Sequence, residues 1–133
     1  ELIVEGSAQA TGGYVGATKL LNLEHPPTAI FAATDRIAMG AYDAIKERGL
    51  RIPQDISVLG FDDQEIITHH LRPTLTTMKL PFKKMARRAV ELLADNLDGN
   101  AAPLISERII CRLVERESVA PPRESRLELA SQV

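Results

Sequence analysis

The chain predicts an α/β fold built on a parallel sheet. Three observations predict it: short apolar runs bounded by turn residues, amphipathic helical stretches between them, and an acidic pair where one run ends. Strand, helix, strand, helix, strand in that order makes a right-handed parallel unit. In such a sheet the ligand crevice lies just outside the carboxyl ends of the strands.

Leu2, Ile3 and Val4 before Gly6 read as a first strand. Residues from about Ala8 to Leu23 read as a helix, with Tyr14, Ala17, Leu20 and Leu21 on one side, ended by Pro26 and Pro27. Gly13 and Gly16 fit close helix packing, since their spacing is not that of a dinucleotide-binding loop. Thr28 to Ala33 is a second strand. Asp35 follows where a carboxylate would cap the next helix, which runs to about Arg48 and stops at Gly49. Ile56 to Phe61 is a third, buried strand carrying Asp62 and Asp63 at its end. Gln64 to Leu71 predicts a short helix, and Thr74 to Lys79 another strand. From Phe82 the apolar positions Met85, Ala86, Ala89, Val90, Leu93 and Leu97 form a helical stripe, closed by Asp98-Gly99-Asn100. Arg108 to Arg116 is the last strand expected, and a polar tail follows Pro121.

Composition narrows the classes. At 133 residues the chain suffices for one domain with a core. A formal net charge of -2 argues against a surface built to hold DNA by counterion release. The single cysteine, Cys111, fits a reducing compartment and predicts no disulfide or metal cluster. No run approaches the ~18 apolar residues of a membrane span, and no signal peptide is visible. The start at Glu1, straight into a strand-like run, suggests a fragment.

Asp62 and Asp63 are the leading candidate site, because an acidic pair at a strand end can accept hydrogen bonds from a polar small molecule. Their plain alternative is one helix cap and one solvated carboxylate. Thr34 and Asp35 end the neighbouring strand, and Asp35 by itself reads as a cap. A phosphoacceptor receiver domain also carries acidic tips and a lysine at a later strand end. Lys79 ends such a strand, but the five-strand, five-helix layout of a receiver is missing. Lys83, Lys84, Arg87 and Arg88 read as a solvated face paired with Glu91 and Asp95. His69 and His70 lack a third ligand at metal spacing. Nothing assembles a nucleophile, a base and an orienting group, so no enzyme and no cofactor is predicted. The helix after Asp35 has Ile37, Ala41 and Ile45 on one side and Ala38, Met39, Gly40 and Tyr42 wrapping the other. A helix so apolar is covered on more than one side, which predicts a second subunit against it.

Four segments carry a family resemblance. They are Thr-Ala-Ile-Phe-Ala-Ala-Thr-Asp-Arg-Ile-Ala-Met-Gly-Ala at 28–41, Gly-Leu-Arg-Ile-Pro-Gln-Asp-Ile-Ser-Val-Leu-Gly-Phe-Asp-Asp at 49–63, Arg-Pro-Thr-Leu-Thr-Thr at 72–77, and Val-Glu-Arg-Glu-Ser-Val-Ala-Pro-Pro at 114–122. In this order the chain resembles the LacI/GalR family of bacterial transcriptional repressors. The resemblance implies a three-layer αβα, periplasmic-binding-protein-like fold of which this chain holds mainly the C-terminal subdomain. It implies residues 1–79 as the C-terminal effector-binding subdomain, 80–110 as a segment of the N-terminal subdomain, 111–120 as a return strand, and 121–133 as a tail.

The same resemblance implies a small-molecule effector, a sugar first and a nucleoside or purine next. Asp62 would accept hydrogen bonds from its hydroxyls or amines, Thr34 would be a polar contact, and Phe82 an apolar wall. Ala8 stands where an aromatic often stacks on the ligand, and Leu80 where some members carry a polar contact, so a wider pocket is implied. Met39, Tyr42 and His70 would lie in a homodimer interface. Operator DNA would be reached only through a helix-turn-helix upstream, in the cytoplasm. A transporter's periplasmic sugar-binding protein, monomeric and with a signal peptide, shares the fold and is the alternative.

Overall fold

The computed structural model describes residues 2–97 and 106–122. Its elements are α1 (Ala10–Leu21), β1 (Ala29–Phe31), α2 (Asp35–Glu47), β2 (Ser57–Asp62), α3 (Glu65–Thr68), β3 (Thr76–Lys79), α4 (Phe82–Leu97) and β4 (Arg112–Val114). The strands form one mixed sheet in the order β1-β2-β3-β4. β1 runs parallel to β2 with Ile30 opposite Val58, and β2 runs parallel to β3 with Gly60 opposite Thr77. The expected closing turn Asp98-Gly99-Asn100 and the tail after Pro122 lie outside the described residues.

The chain divides into two compact units, one of Glu1–Lys79 with Leu113–Val133 and the other of Leu80–Arg112. In the first, the alternation of each strand sorts its side chains between two faces. Ile30, Val58, Leu75 and Thr77 are buried on the face covered by helices, where Ala38, Ala41, Tyr42, Ala44 and Ile45 of α2 complete the core. On the other face Phe31 is 62 % exposed and meets the Phe61 ring edge-on at 6.5 Å between centroids. A cleft of about 610 Å³ runs over that face, lined by Phe31, Leu59, Leu113 and Val119. The sheet and one helical layer of a three-layer arrangement are thus present in this unit.

Two local expectations hold for stated reasons. Helix α2 ends at Glu47, with Gly49 at φ 69°, the left-handed conformation that glycine adopts without a Cβ clash. Gly13 lies against the backbone of Ile37, so α1 and α2 cross with almost no side chain between them. Gly16 does not serve that purpose, since a Cβ there would meet only the Val4 side chain at 3.7 Å.

Four expectations are corrected. Leu2 to Val4 form no strand: β1 has no ladder partner on its outer edge among the described residues. A cavity of about 560 Å³ lined by Leu2, Ile3, Val4, Ala29 and Phe31 lies between that edge and the segment. Strand-like composition gives a strand only where a neighbour supplies hydrogen bonds. The last strand shrinks from Arg108–Arg116 to Arg112–Val114, and the helix expected over Gln64 to Leu71 to Glu65–Thr68. Part of the second cover of α2 is internal, while Met39 stays 36 % exposed. Gly40 abuts the α1 backbone at Ala10 and Tyr14, and Tyr42 is fully buried within its own unit. Tyr42 therefore cannot present its side chain to a partner subunit.

In the second unit α4 buries no residue, and Val90, Leu93 and Leu97 are 66 %, 65 % and 86 % exposed. The predicted apolar stripe forms, and nothing described in that unit covers it. Arg88 on this helix pairs with the expected Glu91 at 3.2 Å and with Glu107 at 2.5 Å.

Candidate functional site

The carboxyl ends of β1 and β2 lie side by side, because the two strands are parallel neighbours. Two loops leave there, one into α2 through Thr34 and one into α3 through Asp62 and Asp63.

Thr34, not Asp35, is the N-cap of α2. Its backbone is extended at φ -146° and its Oγ1 accepts from the Ile37 amide at 3.2 Å. The hydroxyl proton stays available to a further acceptor. Thr34→Ala should destabilise the protein by about 1 kcal/mol, the usual worth of such a cap, measured as a shift in the urea midpoint.

Asp35 is turned inward instead and is fully buried. Its Oδ1 accepts from the Thr77 hydroxyl at 2.7 Å and its Oδ2 from the Gln64 amide at 2.7 Å. The space exists because β2 carries Gly60: a Cβ there would stand 2.5 Å from Asp35 Oδ1 and 2.8 Å from Leu75. Burial pushes the Asp35 carboxyl above its ordinary value, against the opposing pull of the hydrogen bonds from Thr77 and Gln64.

Asp62 and Asp63 take up two successive positive φ angles, 121° and 60°. Neither serves as helix cap, since Gln64 is the N-cap of α3 and makes no side-chain cap bond. Asp62 receives the Gln64 side-chain amide at 3.1 Å on Oδ2, and no other donor among the described residues reaches it. Its second oxygen is left free to accept. Asp63 is not solvated: its side chain is 3 % exposed, with Lys79 Nζ at 2.8 Å on Oδ2 and Arg116 Nη2 at 2.7 Å on Oδ1. Burial would raise this carboxyl, but the hydrogen bonds from Lys79 and Arg116 outweigh it and hold it below the usual carboxylate range.

The expected site residues thus fall into two groups. Thr34 lies in the loop that leaves β1 and Asp62 closes β2, both in the first unit, and Ala8 lies exposed ahead of α1. Leu80 and Phe82 belong to the second unit, with Phe82 59 % exposed. Met39 is 36 % exposed on α2, and His70 is exposed. Sequence reasoning missed Thr77, Gln64, Lys79 and Arg116 as supports of the site. Lys79 gave a signal, as a lysine closing a strand beside an acidic strand end. Arg116 gave none beyond lying in the Glu-Arg-Glu-Ser segment. Among the described residues no group of three or more His, Cys, Asp or Glu is arranged to hold a metal ion, and no helix is long and apolar enough to cross a membrane.

The periplasmic binding protein-like domain family matches residues 2–119. The HTH-type transcriptional repressor PurR of Klebsiella pneumoniae is 39 % identical over 89 % of this chain and 34 % of its own length. The ribose operon repressor of Haemophilus influenzae is 43 % identical over 71 % of this chain and 28 % of its own. Among solved structures, a LacI family transcriptional regulator from Enterococcus faecalis with bound ribose superposes at a TM-score of 0.77, with 32 % identity, covering 89 % of this chain and 43 % of that one. A dimeric Lac repressor superposes at 0.79 with 36 % identity, over 89 % of this chain and 43 % of that one. The chain therefore spans about a third of the length of the curated relatives it matches.

Proposed function

The chain belongs to the periplasmic binding protein-like domain family, as part of the effector domain of a LacI/GalR-type regulator, and on that premise we propose that its strand-end carboxylate Asp62 anchors a small polar effector. The observation that carries this reading is the pairing of Asp62, with one oxygen uncommitted, and Thr34, with a hydroxyl proton to give, at the ends of adjacent parallel strands. Together they match a ligand that both donates and accepts, such as a vicinal diol or an amide-bearing ring. The relative with bound ribose supports a sugar. The likeness to PurR keeps a purine in play. Ala8 offers no ring to stack on either.

In this reading the second unit, to which Leu80 and Phe82 belong, is a piece of the neighbouring subdomain. Met39 and His70 face a second copy of the chain, as the dimeric relative suggests. Effector affinity that differs between two arrangements of the parent protein then alters its hold on operator DNA, in the cytoplasm and through a DNA-binding domain of that parent.

A thermal-shift panel on the full-length parent tests this, with ribose, cellobiose, ribonucleosides and hypoxanthine as probes. Binding to the folded state alone raises the midpoint by mass action. The expected result is a concentration-dependent rise with one probe class that disappears in Asp62→Ala. A rise that survives Asp62→Ala would remove Asp62 from the site.

A further inference from the structure

Asp63 sits beside the effector carboxylate but faces the other way, and its two partners have a particular place in the chain. Lys79 is the last residue before the chain leaves for the second unit, and Arg116 follows shortly after it returns at Leu113. One carboxylate therefore holds the outgoing and the returning segment at once, 2.8 Å and 2.7 Å from its two oxygens. Arg116 is also held at the start of β3, through Nη1 to the carbonyl of Leu75 just ahead of the strand at 2.9 Å and through its amide to Thr76 Oγ1 at 2.9 Å.

The backbone on the other side of this clamp is strained. Non-glycine residues at φ 121° and 60° in succession are disfavoured and persist only where surroundings over-determine them. Here the surroundings are the two cations on Asp63, the Asp35 carboxylate on the Gln64 amide, and the Gln64 side chain on Asp62. Asp62 cannot change its backbone to meet a ligand without moving Asp63, and Asp63 cannot move without pulling on Lys79 and Arg116. A buried ion pair adds little net stability over an apolar replacement, and in some proteins it selects one arrangement over others.

We infer that Asp63, Lys79 and Arg116 form an ion clamp that passes effector occupancy at Asp62 to the two segments by which the second unit is reached, Asp63 acting as a positioning residue. The inference rests on the effector reading above. Each arm of the clamp addresses one segment, Lys79 the outgoing and Arg116 the returning, so the arms are separable.

Amide hydrogen exchange on the full-length parent, with and without whichever of ribose, cellobiose, ribonucleosides or hypoxanthine raises its midpoint, tests it. In the wild type the probe should slow exchange at least about fivefold, the lower end of usual coupling, around 79–82 and around 113–116. In Asp63→Asn the probe should still raise the midpoint, while protection of both segments drops below about twofold. Lys79→Met, at a side chain 38 % exposed and so tolerant of change, should lose protection only around 79–82. A merely structural role would loosen the unit throughout and leave the pattern of probe protection intact. Protection unchanged in Asp63→Asn, or lost at both segments in Lys79→Met, overturns the clamp while the effector reading stands. No midpoint rise in the wild type with any probe overturns the effector reading, and the clamp with it.

Discussion

Asp35→Ala is expected to lower the unfolding free energy by about 3 kcal/mol, read as a fall in the urea midpoint at neutral pH. The substitution removes the acceptor that the Gln64 amide and the Thr77 hydroxyl have among the described residues, and leaves one donor part-buried and the other buried. Each such orphan costs about 1–3 kcal/mol, partly offset by relief of the carboxylate's own desolvation. A surface cap, the plain role of an acidic residue at this point of a helix, would cost about 1 kcal/mol. The size of the loss therefore separates the two roles.

The same residue has a pH signature opposite to that of its neighbour. Burial raises the folded-state value of Asp35 above the unfolded one, so the folded protein binds this proton more tightly. Its contribution is fullest below the unfolded value and is lost as pH rises through the folded one. Asp63 is depressed in the folded state, so its contribution is present above the unfolded value and is lost as pH falls through the folded one. In Asp35→Asn, stability should then fall more steeply on acidification than in the wild type, and in Asp63→Asn less steeply. Urea midpoints across the acidic range read both slopes.

What the sequence made legible is what short-range patterns carry. The buried runs of β1 and β2, the stripe of α4, the stop at Gly49 and the acid pair at the end of β2 each depend on a few adjacent residues. The supports of the site depend on distant ones. Asp63 meets Lys79 and Arg116 across 16 and 53 residues, and Asp35 meets Thr77 across 42. Thr34 and Asp35 are both competent caps by composition. The choice between them is made across the sheet, where Gly60 opens room for a carboxylate and Thr77 offers it a donor. Leu2 to Val4 failed as a strand for the complementary reason, since composition cannot supply a ladder partner.

Gly40→Ala is expected to cost about 3 kcal/mol, the upper end for an overpacked site, because the added methyl would meet backbone rather than a side chain that can turn away. The atoms in its way are the Ala10 carbonyl and the Tyr14 amide of α1, and the reciprocal contact is Gly13 on the Ile37 carbonyl of α2. Gly16→Ala on the same helix is the control. Its Cβ would find only Val4 at ordinary contact distance, so removing a mid-helix glycine should stabilise by about 0.5–1 kcal/mol. Opposite signs from two glycines of this pair of helices, measured by urea denaturation, would establish backbone-to-backbone contact as what seats α1 on α2. That seating bears on the site as well as on stability. Ile37, whose carbonyl Gly13 abuts, is also the residue whose amide holds the Thr34 hydroxyl. A bulge between the helices displaces the first turn of α2 and with it the cap. Gly13→Ala should therefore weaken the thermal-shift response to an effector as well as the fold, whereas Gly16→Ala should leave the response unchanged.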